Sequence, residues 1–150
     1  ITICCWHAYH HYYKSISYLF WTIMRSAING NIKNLNDIQN ALKESGADGV
    51  MIGRGAYGKP WLINQAMNFL SGSETSEPTA SERLSIILEH YDNILEYYGN
   101  DTGIKMARKH IGWYSSGLQG SSEFRVRVNN MTDSTEVKEN IIGFFGQETH

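Results

Sequence analysis

Apolar positions keep two different rhythms along this chain. Over residues 23–70 short apolar runs trade places with stripes of helical period, whereas from residue 79 onward the spacing is three and four throughout. In the first region the pattern predicts a strand ending near Ile28, then a helix from Asn34 or Asn36 carrying Leu35, Ile38 and Leu42, with Gly46 as its stop. A strand over residues 49–52 follows. Next comes a helix with Pro60 in its first turn, where the missing N–H costs nothing, and an apolar face of Leu62, Ile63, Ala66, Phe69 and Leu70. The order βαβα favours a parallel sheet.

The polar, turn-rich run from Ser71 to Thr79 is the clearest domain boundary. Beyond it, Thr79 and Glu82 have the spacing of a capping box, and Leu84, Ile87, Leu88, Tyr91, Leu95 and Tyr98 form one stripe ending at Gly99. A second helix is expected from Asp101, with Ile104, Ala107, Ile111 and Tyr114 inward, and a last one uses Val137, Ile141, Phe144 and Phe145. The expected organisation is therefore an α/β part over 27–71, a linker over 72–80 and an all-helical part over 81–150. No internal repeat or long low-complexity tract interrupts it.

Composition changes this picture in three places. With 13 lysines and arginines against 15 aspartates and glutamates, the chain has no global drive toward nucleic acid or membrane, so polyanion contact must come from a local patch. Two adjacent cysteines, Cys4 and Cys5, argue against a disulfide framework and fit a reducing cytoplasm. The first 25 residues stand apart: they hold Trp6, Tyr9, Tyr12, Tyr13, Tyr18, Phe20 and Trp21 and three of the six histidines, yet the first acidic residue is Asp37. The apolar stretch 16–24 is too short to span a bilayer, and no basic region of a signal peptide opens the chain, so no membrane association is expected. Cys4, Cys5, His7, His10 and His11 lack paired metal-ligand spacing, and no metal is expected.

Candidate chemistry gathers at two places. Asn29-Gly30-Asn31 and Gly53-Arg54 each end a strand and lead toward a helix, an arrangement that brings backbone N–H groups to a place suited to an anion such as phosphate. Glycines at two successive strand ends are what the phosphate site of a (β/α)8 barrel looks like, although 150 residues fall short of the roughly 200 that a barrel needs. The bland alternative is that Gly30, Gly53, Gly55 and Gly58 simply permit tight turns. The second place is the helix after Asp101, where Lys105, Arg108 and Lys109 recur on one face and Arg125 and Arg127 add charge nearby. That face is either a solvated surface or a patch tracking RNA phosphates, with His110, Trp113 and Tyr114 as stacking surfaces.

Taken together, Asn29-Gly30-Asn31-Ile32, the run from Gly46 to Ala56, Gly58-Lys59-Pro60-Trp61 and Ala107-Arg108-Lys109-His110-Ile111-Gly112-Trp113-Tyr114 resemble the bacterial tRNA-dihydrouridine synthases over residues 27–146. The resemblance implies the last βα units of an FMN-binding (β/α)8 TIM barrel followed by an all-α tRNA-binding domain. It implies FMN phosphate contacts at Asn29, Gly30, Asn31, Gly53 and Arg54, with Asn31 standing where the family usually has Asp. It implies RNA contacts at Lys105, Arg108, Lys109, Arg125 and Arg127, and reduction of a uracil C5–C6 double bond in tRNA with NADPH as reductant. The target base must leave its stack for that chemistry, and the helical domain would grip the folded RNA.

Departures from the family are as informative. The proton-donor cysteine that the resemblance implies has no counterpart here, and Cys4 and Cys5 do not match it, so no catalytic residue is assigned. Residues 1–3 resemble the start of a barrel strand, but residues 4–26 match nothing, as a frameshifted leader would. The leading expectation is a carboxyl-terminal part of the synthase, inactive alone. The alternative is a non-catalytic RNA-binding helical module with a vestigial barrel remnant.

Overall fold

The computed structural model describes residues 2–4 and 26–149, with side chains from 26 to 147. Cys5, His7, His10, His11 and the apolar stretch 16–24 lie outside the described residues, as does the side chain of Cys4. Two compact units divide between Ser76 and Glu77.

In the first unit, strands β1 (Thr2–Cys4), β2 (Ala27–Asn29) and β3 (Gly49–Met51) form a parallel sheet in the order β1-β3-β2. Ile28 and Ile3 both register with Val50, which is fully buried. Helix α1 (Leu35–Ser45) connects β2 to β3, and α2 (Trp61–Leu70) follows β3. Asn34 caps α1 by accepting from the Asp37 amide at 2.9 Å, and Gly46 closes it in the left-handed conformation at φ 64°, donating to the Leu42 carbonyl. Ile32, Ile38, Val50, Ile52, Ala56, Leu62, Ile63 and Ala66 form the core cluster.

Two sequence expectations change here. Neighbouring strands of a barrel follow chain order, as β2 and β3 do, but β1 lies on the far edge of β3. That placement satisfies the backbone groups which a β2–β3 pair alone would leave unpaired on the central strand. A closed barrel is absent from the described residues. The approach to Pro60 also differs, because a 3-10 turn over Arg54–Ala56 stands between β3 and α2. Pro60 has helical backbone angles at the residue preceding Trp61, so its missing N–H costs the helix nothing.

The second unit packs α3 (Ala80–Tyr98), α4 (Asn100–Tyr114), α5 (Ser121–Asn130) and α6 (Ser134–Phe145) around one core, followed by a 3-10 turn over Gly146–Thr149. The capping box at Thr79 and Glu82 forms in both directions, which holds the Glu82 carboxyl below its ordinary range through hydrogen bonds from Thr79. Ile87, Tyr91 and Ile94 of α3 meet Ile104, Ala107 and Ile111 of α4, while Phe124 stacks on Phe144 with ring centroids 4.0 Å apart. A Cβ on Gly103 would come within 2.9 Å of a Leu95 methyl, so glycine permits the close crossing of α3 and α4.

Helix α5 has no counterpart in the expected elements. Phe124, Arg125, Val126, Arg127 and Val128 alternate apolar and polar with a period of two, yet the segment is helical because Phe124 and Val128, four apart, reach the common core. Val126 is left 62% exposed as a result. No helix among the described residues is long and apolar enough to cross a membrane.

Candidate functional site

The candidate phosphate cradle consists of two turns at adjacent strand ends. Asn29 and Met51 are registered partners on parallel β2 and β3, so the chain leaves both strands in the same direction, side by side. After β2, Gly30 and Asn31 are exposed, and Ile32 then drops into the core at 3% exposure. The loop is fixed further on, where the Asp37 carboxylate accepts from the Lys33 amide at 2.8 Å. After β3, Ile52 is buried, Gly53 and Arg54 are exposed, and Ala56 is buried again. The turn after β3 is thus an exposed pair between buried Ile52 and Ala56, and the turn after β2 is an exposed run closed by buried Ile32.

Gly55 joins the two turns. A Cβ there would lie 1.8 Å from the Ile32 carbonyl oxygen, so only glycine permits the backbones to come so close. Gly30 and Gly53 show the opposite: nothing lies within 4 Å of where their Cβ atoms would stand. The backbones of both turns are therefore open to an incoming group, and Arg54 is an exposed cation ion-paired to none of the described residues. Asn29, Gly30, Asn31, Gly53 and Arg54 all stand at this one end of the sheet. Their small side chains, open backbone and one cation suit a phosphate monoester such as that of FMN.

The five candidate RNA-contacting cations separate into two kinds. Lys105, Lys109 and Arg127 are exposed, whereas Arg108 and Arg125 are half-buried. Position 108 lies four residues after Ile104 and three before Ile111, on the border of the buried stripe rather than on the open face beside Lys105 and Lys109. Its Nη2 donates to the Met131 carbonyl at 2.8 Å. Arg125 folds back along α5, where Nε donates to the Ser121 carbonyl at 3.1 Å. The expectation of one shared cationic face is corrected accordingly, since helix packing draws these two guanidinium groups inward by their long stems.

Aromatic and imidazole groups form a network along the α3–α4 seam. His90, which the sequence reading did not single out, shares a 2.9 Å hydrogen bond with the Tyr114 hydroxyl and meets the edge of His110 at 4.7 Å between ring centroids. His110 in turn meets Trp113 at 5.1 Å, and the Lys109 ammonium lies 5.0 Å from the Trp113 ring centroid. Burial, and secondarily His110, pushes His90 down to about 4; burial and then Lys109 lower His110. Both imidazoles are neutral near pH 7. The only sequence signal for His90 was its place on α3 between Ile87 and Tyr91.

A family model described as dihydrouridine synthase (Dus) matches residues 7–147. The chain belongs to this family. Among its relatives, a protein of Rickettsia conorii named "Probable tRNA-dihydrouridine synthase" is 56% identical over 118 residues, covering 78% of this chain and 36% of that protein. A "Probable tRNA-dihydrouridine synthase" of Rhodobacter capsulatus is 41% identical over 106 residues, or 70% of this chain and 32% of the relative. The "tRNA-dihydrouridine synthase B" of Pseudomonas syringae pv. tomato is 37% identical over 120 residues, 79% of this chain and 36% of the relative. The chain spans about a third of the length of these relatives. The dihydrouridine synthase match begins at residue 7, inside the stretch 4–26 over which the motifs show no resemblance.

Proposed function

We propose that this chain is the part of an FMN-dependent tRNA-dihydrouridine synthase that holds the flavin phosphate and grips tRNA. The observation that carries this reading is the pair of open turns, Asn29-Gly30-Asn31 and Gly53-Arg54, at neighbouring parallel strand ends and tied together by the Gly55–Ile32 approach. Family membership supports it. Bound FMN would supply hydride chemistry, with NADPH as reductant and the C5–C6 double bond of a tRNA uridine as the group reduced.

The residues of this chain have placing roles in that scheme. Backbone N–H groups of the two turns and the Arg54 guanidinium hold the phosphate, and in the helical unit Lys105, Lys109 and Arg127 neutralise RNA phosphates. The basic residues gather on α4 and α5, whereas α3 carries Glu82, Glu89, Asp92 and Glu96 against Arg83 alone. This separation favours one side of the unit for a polyanion. Domain roles follow as 27–71 for the flavin, 72–80 as linker and 81–150 for tRNA, acting in the cytoplasm. No residue here matches the proton-donating cysteine that the resemblance implies. A polypeptide confined to these 150 residues is therefore expected to bind without turning over.

Parallel titrations with FMN, riboflavin and tRNA test the reading. Arg54→Ala should weaken FMN binding and leave riboflavin, which lacks the phosphate, unaffected; equal loss for both would sink the cradle. Changing Lys105, Lys109 and Arg127 to Ala should lower the salt dependence of tRNA binding by about 2 in the log–log slope. Retention of tRNA without any flavin would favour the alternative, an RNA-binding helical module with a vestigial barrel remnant. The closed core of the helical unit is the observation on its side.

A further inference from the structure

Arg108 stands apart from the other cations of α4. Its Nη2 reaches the carbonyl of Met131, the residue at which α5 ends, and its Nε is buried with no hydrogen-bond partner among the described residues. Carbonyls at a helix carboxyl terminus lack helical donors and carry partial negative charge, so a cation placed there is favoured twice. In the same turn the Asn130 side-chain amide donates to the Val126 carbonyl at 2.9 Å, and the Met131 amide closes onto the Val128 carbonyl. Arg127, exposed, stands one helical turn before Met131.

We propose that Arg108 is a positioning residue, a clamp from α4 onto the carboxyl end of α5 that holds Arg127 in place for RNA, and not itself a phosphate contact. The RNA part rests on the tRNA-binding reading above; the clamp does not. Arginine suits the position because its guanidinium stays charged when half-buried and its long stem packs while the head hydrogen-bonds. A phosphate seeking Nε would find it without accessible surface.

A double-mutant cycle on the full chain, with tRNA as the probe and thermal melting alongside, decides the matter. Arg108→Ala should lower the melting temperature by roughly 4 °C or more and weaken tRNA binding several-fold. In an Arg127→Ala background it should cost no further affinity, because the contact it supports is already gone. Arg108→Lys, which keeps the charge, should bind no better than Arg108→Ala. Losses that multiply across the cycle, or wild-type affinity in Arg108→Lys, would make Arg108 a phosphate contact and overturn the proposal. A wild-type melting temperature in Arg108→Ala would overturn the clamp. If the wild-type chain binds no tRNA, the RNA reading fails instead, and the melting comparison decides the clamp separately.

Discussion

The α/β unit and the helical unit solve the problem of a core differently. In the helical unit, stripes on four helices of 10 to 19 residues meet one another, and every helix contributes a fully or nearly fully buried side chain. In the α/β unit each strand is three residues long, and the core depends on loop residues, with Ile32 after β2 and Ala56 after β3 buried beside Val50 and Ile52. Loops that must pack cannot vary freely, yet beside those anchors Gly30, Asn31, Gly53 and Arg54 stay exposed. Anchored backbone and open turn are what a small anion needs. The helical unit offers instead a firm platform on which charge is displayed.

The largest expected effect strikes the platform. Phe124→Ala removes a fully buried ring stacked on Phe144 and should cost about 3–5 kcal/mol in chemical denaturation, with α3 to α6 unfolding together. If Phe124→Ala melts α5 and leaves the other helices intact, the picture of one cooperative core breaks.

Acid comes next. Folded His90 is held near 4 against an ordinary value of 6.5, so between those pH values the unfolded chain takes up a proton that the folded one refuses. Stability of the helical unit should therefore fall as pH drops from 6.5 toward 4, by roughly 3 kcal/mol at the end of the window, with no such slope above it. His110, shifted the same way, adds to the fall. Melting curves between pH 5 and 7, where carboxylates stay charged, isolate the imidazoles; a flat profile there would contradict the buried seam.

Gly55→Ala tests the α/β unit at its tightest point. A methyl group 1.8 Å from the Ile32 carbonyl oxygen must push the turns apart, at about 1–3 kcal/mol or more, whereas Gly30→Ala meets nothing within 4 Å. Equal stability of the two variants would mean that the turns are not locked to each other. Smallest is Thr79→Ala, which removes the capping box of α3 at about 1 kcal/mol by thermal melting. A larger loss would place the start of α3 among the elements that hold the core together.

Most of the helical unit was legible because its signals are local. Thr79 and Glu82, Gly99, and the apolar stripes of α3, α4 and α6 require only neighbours three and four residues away, and the structure follows that spacing except at the end of α3, where Ile94 is buried and Tyr98 is exposed. Helix α5 was hidden for the same reason in reverse. Its alternating Phe124 to Val128 segment becomes helical through contacts with residues far along the chain. His90 and the inward turn of Arg108 also depended on what stood opposite them.

In the α/β unit, residue types along the chain defined α1, with its start at Asn34 or Asn36 and its stop at Gly46, and the glycine turns, since capping and φ preference are properties of a few adjacent residues; the structure selects Asn34 as the cap. Strand order, the lock between Gly55 and Ile32, and the division of five cations into three exposed and two half-buried were decided by packing. Pairing partners, close backbone approach and burial belong to distant residues brought together. Sequence spacing carries no record of that distance until the chain has folded.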